Sequence, residues 1–365
     1  MNVLHYTPSI SFHSAGVGMC MQLLAKDLSK KARLTIVTHR TDHDLPIDNC
    51  TLINLPPMKL VGTRCRHVFE YALDVIRPDL VHIHSCWEPL SAFAQKWARQ
   101  RGYRTVYTPH GMLAPYALQQ HRFTRKLPAM MLYQRKALNT ADVIHVTSEK
   151  ERADVEQLKL RPPCAVVPIG VDVNDIAMRT EWKSQRSMLF LSRVNRVKGI
   201  EFLIDAVGEM KDALAGYTIY IYGMGNETYI QSLRERAKQL GIADIVRFQG
   251  LAEGEEKWRL LRQADVLLLP SYTENFGIAA AEAMASGTPV ITTQGTPWQD
   301  LQRRQCGWWV PVGKEPLKEA LHALLQTTTA EREQMGRRAR QLIEEKYSTK
   351  AMAEGMLQLY NSILQ

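Results

Sequence analysis

The order of apolar and polar positions divides the chain into short β-branched or apolar runs separated by longer stretches of helical period. Runs at Val3 to Tyr6, Leu34 to Thr38, Leu80 to His84, Thr105 to Thr108 and Val143 to Thr147 predict strands in the first half. Stretches such as Gly18 to Lys30 and Glu88 to Arg101 predict helices between them. The alternation begins again at Met188 to Ser192 and continues through Ile219 to Tyr222, Val246 to Gln249, Val266 to Leu269 and Val290 to Thr292. Strands that alternate with helices form βαβ units, and βαβ units build parallel sheets with helices on both faces. The sequence therefore predicts an α/β protein of two Rossmann-like, doubly wound halves.

Between the halves, "VVPIGVDVNDIAMRTEWKSQRS" breaks the periodicity with Pro168, Gly170 and several Asp and Asn residues. The expected division is an N-terminal domain at 1–170, a linker or hinge at 171–186 and a C-terminal domain at 187–348. Residues 349–365 read as an amphipathic helix, with Met352, Met356, Leu359 and Ile363 on one stripe, that can cross back to the N-terminal domain. A length of 365 residues suits two cores of ordinary size. Doubly wound sheets bind ligands outside the carboxyl ends of their strands, so the two halves are expected to face a cleft lined by both sets of loops.

The excess of Lys+Arg (46) over Asp+Glu (37) gives a formal charge of +9, which attracts anions such as phosphates, nucleic acid or an anionic membrane surface. A nucleic-acid protein would carry a recognisable module with interleaved aromatic residues, and the sequence has none. The six cysteines form no C-x-x-C pair and read as ordinary thiols of a reducing compartment. The start "MNVLHYTPSI" lacks the pattern of a signal peptide and no long uncharged apolar run occurs, so the expectation is a soluble, cytoplasmic protein.

The chemistry concentrates at predicted strand ends. "YTENFGIAAAEAMASGTPVI" places Glu274 in a loop after one strand and Glu282 inside the helix that follows, with the helix N-terminus between them. That N-terminus suits a phosphate, and a carboxylate on each side suits a polyol, which is the order of parts in a nucleotide-sugar. The alanines allow close packing of the helix on sheet and ligand. As an isolated pair the two glutamates would read more simply as solvated positions on a core helix. "FLSRVNRVKG" puts Arg193 and Lys198 just past another strand, with Gly199 opening the next helix. Two permanent cations there can neutralise the charge that develops on a diphosphate leaving group.

The combination of S-R-x4-K-G (Ser192 to Gly199), the E-x7-E pair and "SGTPVI" resembles the family 4 retaining glycosyltransferases of GT-B fold, and "PIGVD", "YGMGN" and "VRFQG" fit the same family. The resemblance implies that Glu282 holds the ribose hydroxyls, Glu274 the sugar hydroxyls, and Arg193 with Lys198 the diphosphate. It implies backbone contacts to sugar and phosphate from Phe276, Gly277 and Ile278, and a frame for the base from the loop around Arg247 and Phe248. "SAGVGM" resembles the glycine-rich loop of the family, where the amides of Gly16 and Gly18 approach phosphate or acceptor; Ala15 stands where a second glycine is common. "YTPHGML" puts His110 where the family holds a histidine against the transferred sugar. The segment "HGMLAPYALQQHRFTRKLPAMMLYQRKALNTADVIHVTS" is similar to the subgroup that builds bacterial surface polysaccharides on lipid-linked acceptors. Its cluster of Arg122, Arg125, Lys126, Arg135 and Lys136 around Phe123, Leu127, Met130, Met131 and Leu138 suits a helix lying at an anionic membrane, or a helix packed on the sheet with its basic side in water.

Other signals compete. His82, His84 and Cys86 alternate and suggest a metal site, but a fourth ligand is missing and a structural role fits better. Asp42-His43-Asp44 is a lone D-x-D in a loop and reads as surface. Gly16-Val17-Gly18 raises a nicotinamide enzyme, against which stand Met21 in place of the third glycine and the lack of an acidic residue at Thr38-His39. A sugar-nucleotide epimerase of the same fold and a glycan-binding module without catalysis are the remaining alternatives. The expectation is a metal-independent hexosyltransferase without a cofactor, working from a nucleotide-diphosphate-sugar with retention. Catalytic roles fall to His110, Glu274, Arg193 and Lys198, and the acceptor is a glycan, lipid-linked in O-antigen, capsule or exopolysaccharide synthesis.

Overall fold

The computed structural model describes residues 1–11, 16–41, 43–56 and 63–365. Among these residues no helix is long and apolar enough to cross a membrane. The chain forms two compact units, Met1–Gly170 with Ser348–Gln365, and Val171–Tyr347.

The first unit is built on a parallel sheet of β1 (Asn2–Tyr6), β2 (Arg33–His39), β3 (Thr51–Leu55), β4 (Leu80–His84), β5 (Arg104–Thr108), β6 (Val143–Val146) and β7 (Cys164–Val166), in the order β3-β2-β1-β4-β5-β6-β7. Side chains alternate across a strand, so this sheet has two unlike faces. Leu4, Tyr6, Val81, Ile83, Tyr107 and Ile144 form an apolar core with Phe69, Leu73, Leu90 and Leu138. The residues between them, His5, His82, His84, Thr108 and His145, are all buried on the opposite face. Helix Thr349–Leu364 belongs to this unit and reaches that polar face through Tyr360, whose hydroxyl lies 2.8 Å from Nδ1 of His82.

The second unit repeats the plan with β8 (Ser187–Leu191), β9 (Thr218–Tyr222), β10 (Val246–Gly250), β11 (Val266–Leu269), β12 (Val290–Thr293) and β13 (Gly307–Val310), ordered β10-β9-β8-β11-β12-β13. Both of its faces are apolar. Phe190, Ile219, Ile221, Leu268 and Ile291 pack against Leu203, Ile204 and Val207 of one helix and Leu317, Leu321 and Leu324 of another. On the other face the alanines of Ile278–Ala285 are buried at positions 280, 281, 283 and 285, and small side chains there let the helix lie close to its neighbours. The stretch 171–186, expected as a linker or hinge, packs on this unit: Ile176 and Trp182 are buried, and Arg179 donates from its backbone to the Ser286 carbonyl at 3.0 Å and from Nη1 to the Ala264 carbonyl.

Candidate functional site

In each sheet the strand order reverses once, between β1 and β4 in the first unit and between β8 and β11 in the second. Loops leaving the two strands on either side of such a reversal diverge and open a crevice at their carboxyl ends. Arg193 and Lys198 follow β8, and Glu274 follows β11, so the second unit brings three of the residues singled out in the sequence to its crevice.

Lys198 ends the short 3₁₀ turn Arg196–Lys198, and Gly199 follows at φ 63°. A Cβ at Gly199 would lie 2.3 Å from the Pro270 carbonyl oxygen, so only glycine lets the loop after β8 lie this close to the loop after β11. The contact is continued by Tyr272, whose amide donates to the Val197 carbonyl at 2.8 Å. The result is an ion pair from Nζ of Lys198 to Oε1 of Glu274, and the same oxygen accepts from Ser271 Oγ at 3.0 Å. The side chains are 11% and 13% exposed, which places the pair in a poorly solvated setting. The Glu274 amide donates to the Gly295 carbonyl at 2.9 Å and fixes the loop from behind. Arg193 is exposed and, among the described residues, has no ion-pair or hydrogen-bond partner.

Gly277, at φ 81°, starts the eight-residue helix Ile278–Ala285. The Phe276 ring is buried against Trp298 and Tyr347, with centroids 5.0 and 5.9 Å away, so the backbone of 276–278 is held from one side and its helix-start amides carry the positive end of the helix dipole. Glu282 lies within this helix and accepts from Lys257 Nζ at 2.8 Å. Burial pushes the Glu282 carboxyl above the usual range, and Lys257 partly offsets that rise. Neither Lys257 nor Ser271 was singled out in the sequence. Lys257 sits in "GEEKWRLLRQ", a helix ahead of β11 with no motif of its own, and only the packing of that helix beside Ile278–Ala285 brings it to Glu282. Arg247 and Phe248 stand on the edge strand β10, where Arg247 is exposed and Phe248 is partly buried with the Arg234 guanidinium 5.7 Å from its ring centre.

In the first unit, Gly16 caps helix Val17–Leu28 at φ 98°, and among the described residues nothing lies within 4 Å of where a Cβ would be. Gly18 is constrained differently, since a Cβ there would meet the Ile10 carbonyl oxygen at 2.9 Å. Its lack of a side chain answers to backbone packing within the unit. Ala15 lies outside the described residues, as does Asp42. Asp44 folds onto its own turn and accepts from Thr41 Oγ1 at 2.6 Å.

His110 follows β5 at φ 52°, a left-handed conformation costly for a side chain of its size. Two contacts hold it: Nε2 of His110 lies 2.9 Å from Nδ1 of His84, and the next amide, Gly111, donates to Oε1 of Glu151 at 2.5 Å. Glu151 also accepts from the amide and hydroxyl of Thr147, and its buried carboxyl is raised by desolvation against those three bonds. The alternating His82, His84 and Cys86 do not act together. The chain turns at Ser85 (φ 74°), and Cys86 falls into the apolar core, while His82 and His84 join His5, His110 and His145. The ring nitrogens of His5, His82 and His84 lie within 4.8 Å of one another. Burial holds all five imidazoles below their ordinary range, His5 and His110 at about 3 and His145 at about 4.

Neutral rings share protons in a definite order. His145 Nε2 lies 2.9 Å from the Val167 carbonyl, which can only accept, so His145 donates there and leaves Nδ1 as an acceptor. The Thr108 hydroxyl then donates to His145 at 2.8 Å and accepts from His82 Nε2 at 2.6 Å, and His82 Nδ1 accepts from Tyr360. One carbonyl sets four hydrogen-bond directions. The sequence offered a signal for this network in the interior histidines of β1, β4 and β6, each flanked by apolar residues with period two.

Residues 14–175 match the family Glycosyltransferase Family 4, and residues 174–342 match Glycosyl transferases group 1. The chain is 29% identical over 190 residues to a D-inositol 3-phosphate glycosyltransferase of Corynebacterium jeikeium, an alignment covering 47% of this chain and 45% of that one. It spans about half the length of the D-inositol 3-phosphate glycosyltransferases it matches. An alpha-monoglucosyldiacylglycerol synthase of Streptococcus pneumoniae is 25% identical over 316 residues, 80% of this chain and 70% of that one. Anabaena HepE, solved in complex with UDP, superposes with a TM-score of 0.78 at 17% identity, covering 99% of this chain and 100% of that one. The chain belongs to the family 4 glycosyltransferases and has their two-domain GT-B fold.

Proposed function

We propose that the protein is a retaining glycosyltransferase that moves a sugar from a nucleotide-diphosphate donor to an acceptor hydroxyl. The observation that carries this reading is the Lys198–Glu274 pair at the β8–β11 crevice, beside the unpartnered Arg193 and the helix start at Gly277. In the resting protein Lys198 and Glu274 neutralise each other. When a diphosphate enters, its charge competes for Lys198, and the released Glu274 carboxylate becomes free to accept from sugar hydroxyls. Arg193, Lys198 and the helix N-terminus then stabilise the charge that grows on the leaving phosphate. Glu282, paired with Lys257, holds the ribose diol, and Arg247 with Phe248 frames the base. His110 contacts the transferred sugar.

Glu282 is engaged by Lys257, and Glu274, once released from Lys198, is taken up by the sugar hydroxyls, so neither is proposed as a nucleophile beneath the anomeric carbon. Retention then follows a front-face course in which the leaving phosphate accepts the acceptor's proton and the protein supplies position and charge. Three sources of fixed positive charge make a divalent ion unnecessary.

For the acceptor we propose a lipid-linked glycan of a bacterial surface polysaccharide, reached at the cytoplasmic face of the membrane. The segment 122–139 carries Phe123, Met131 and Leu132 at 76% to 79% exposure next to the exposed Arg122 and Arg125. Large apolar side chains held in water beside cations match an anionic lipid surface. The likeness to a synthase whose name specifies a glucosylated diacylglycerol supports a lipid-borne acceptor.

Calorimetric titration of a panel of nucleotide-sugars, followed by nucleotide release with and without lipid-linked acceptor, tests the reading. Donor binding with acceptor-dependent release is expected. Release of nucleotide and an epimerised sugar without acceptor would assign an epimerase instead, and sugar binding without any release a glycan-binding module.

A further inference from the structure

Three imidazoles form a second chain beside the one fixed by Val167. Nδ1 of His5 lies 3.0 Å from Nε2 of His84, and Nδ1 of His84 lies 2.9 Å from Nε2 of His110. The rings of His5 and His84 stack with centroids 5.3 Å apart, and those of His84 and His110 with centroids 5.2 Å apart. Three neutral rings hold three protons, and two of these fill the two bonds between rings. The third must sit at one end of the chain.

The ends are not equivalent. Nε2 of His5 is buried and has no partner among the described residues. His110 is partly exposed, and its Nδ1 has no partner among the described residues. If the chain ran from His110 toward His5, the last proton would be an N–H on His5 Nε2 with nothing to accept it. A buried orphan donor is among the rarest arrangements in folded proteins, and an orphan lone pair is tolerated better. Running from His5 toward His110, each ring donates from Nδ1, and the bare nitrogen at His5 is only an acceptor.

We infer that the His5–His84–His110 chain fixes the tautomer of His110, so that its free nitrogen, Nδ1, always carries a proton and offers a hydrogen-bond donor to an oxygen of the bound sugar. His5 and His84 are then positioning residues for the transfer reaction. The use of that donor by a sugar oxygen rests on the proposed role of His110, whereas the tautomer itself does not.

Low proton affinity throughout the chain keeps all three rings neutral, which the count of protons requires.

The test is long-range proton–nitrogen correlation on the full-length protein labelled with [15N]histidine, with His110→Gln identifying the His110 signals. The expected result is a protonated Nδ1 and a bare Nε2 at His110, retained in His5→Asn, whose amide nitrogen can replace the Nδ1 donor. His5→Phe, which supplies no donor, should show a mixture of His110 tautomers. A protonated Nε2 at His110 in the unmodified protein overturns the proposal, and so does stoichiometric zinc on the purified protein, which would make His5, His82 and His84 metal ligands. In nucleotide-sugar turnover, His84→Phe should lower kcat about tenfold, the size of one hydrogen bond, with the donor KM little changed. Full turnover in His110→Ala alongside the expected nitrogen signals would overturn the sugar contact and leave the proton assignment standing.

Discussion

Lys198 and Glu274, 76 residues apart in sequence, hold each other through one ammonium–carboxylate contact that Ser271 completes. The pair ties the first and fourth strands of the second unit together at their carboxyl ends, where it can serve either stability or ligand exchange. The two roles separate in a double variant. Lys198→Met leaves a poorly solvated carboxylate unpaired and should destabilise the protein by about 3 kcal/mol or more, while adding Glu274→Leu should restore much of that loss. Turnover should stay lost in the double variant. Activity returning together with the unfolding midpoint would show the pair to be only a structural tie.

The proposed role of Glu282 and its partner Lys257 is tested by donor affinity. Glu282→Gln keeps the shape and removes charge-assisted bonds to a diol, at a cost of about 1.5–3 kcal/mol, so calorimetry should find donor binding weakened about tenfold or more. Lys257 pulls the Glu282 carboxyl down against the raising effect of burial. Its loss in Lys257→Met should move the acid limb of kcat/KM to higher pH. An unmoved limb would mean that the titration of Glu282 in the free enzyme does not govern donor capture.

The buried imidazoles make stability pH-dependent. A histidine that stays neutral to about 3 or 4 in the fold but protonates near 6.5 when unfolded gives stability that is complete above pH 6.5 and is lost as pH falls toward the folded value. Each such ring contributes a slope of up to about 1.4 kcal/mol per pH unit in that window. Glu151, raised by burial, opposes the trend, so the net slope is smaller than the sum. Urea midpoints should fall steadily from pH 7 to pH 5, and His145→Gln should flatten the curve. A midpoint unchanged over that range would contradict the buried neutral network.

Chelation separates charge supplied by side chains from charge supplied by an ion. With Arg193, Lys198 and the helix start at Gly277 in place, turnover should survive EDTA. Loss in chelator, restored by manganese or magnesium, would assign a metal and reopen the Asp42-His43-Asp44 motif, even though Asp44 is engaged by Thr41.

Membrane contact can be measured by co-sedimentation with vesicles containing anionic lipid. Binding should weaken with salt, since each basic residue near such a surface contributes about 1 kcal/mol. Charge reversal at Arg122 and Arg125 should abolish it, and Met131→Ser with Leu132→Ser should weaken it at every salt concentration. Lys126 is a poorer probe because its ammonium is bound to the Ala117 carbonyl and lies 5.5 Å from the centre of the Trp87 ring. Equal sedimentation of the reversed protein would leave this segment a solvated face.

The interior of both sheets was legible because central parallel strands are buried on both sides and appear as apolar runs. The strands that the sequence did not show, β3, β7 and β13, all lie at sheet edges. In β3 only Leu55 is fully buried, and β7 and β13 are half-exposed throughout, so the apolar signal is diluted. Arg193, Lys198, Glu274 and Glu282 were legible because they sit at strand ends or in the helix just after one, with recognisable spacing. Lys257 and Ser271 were not, since their partners depend on which helix lies beside which. For the same reason His82 and His84 were visible as a pair, but the strand order that brings His5, Thr108 and His145 beside them was not.

Helix Thr349–Leu364 completes the polar face of the first unit, yet it is synthesised only after the whole of the second unit. A domain emerging from the ribosome usually folds as soon as its chain is available. Here the nascent first unit must wait with His82 deprived of the Tyr360 hydroxyl and the histidine face of its sheet uncovered. Contacts between positions so distant in sequence form late and slow the final step of folding. The second unit can therefore mature first, and interruption of synthesis before residue 348 would release a chain whose first unit is unfinished and exposed to chaperones and proteases.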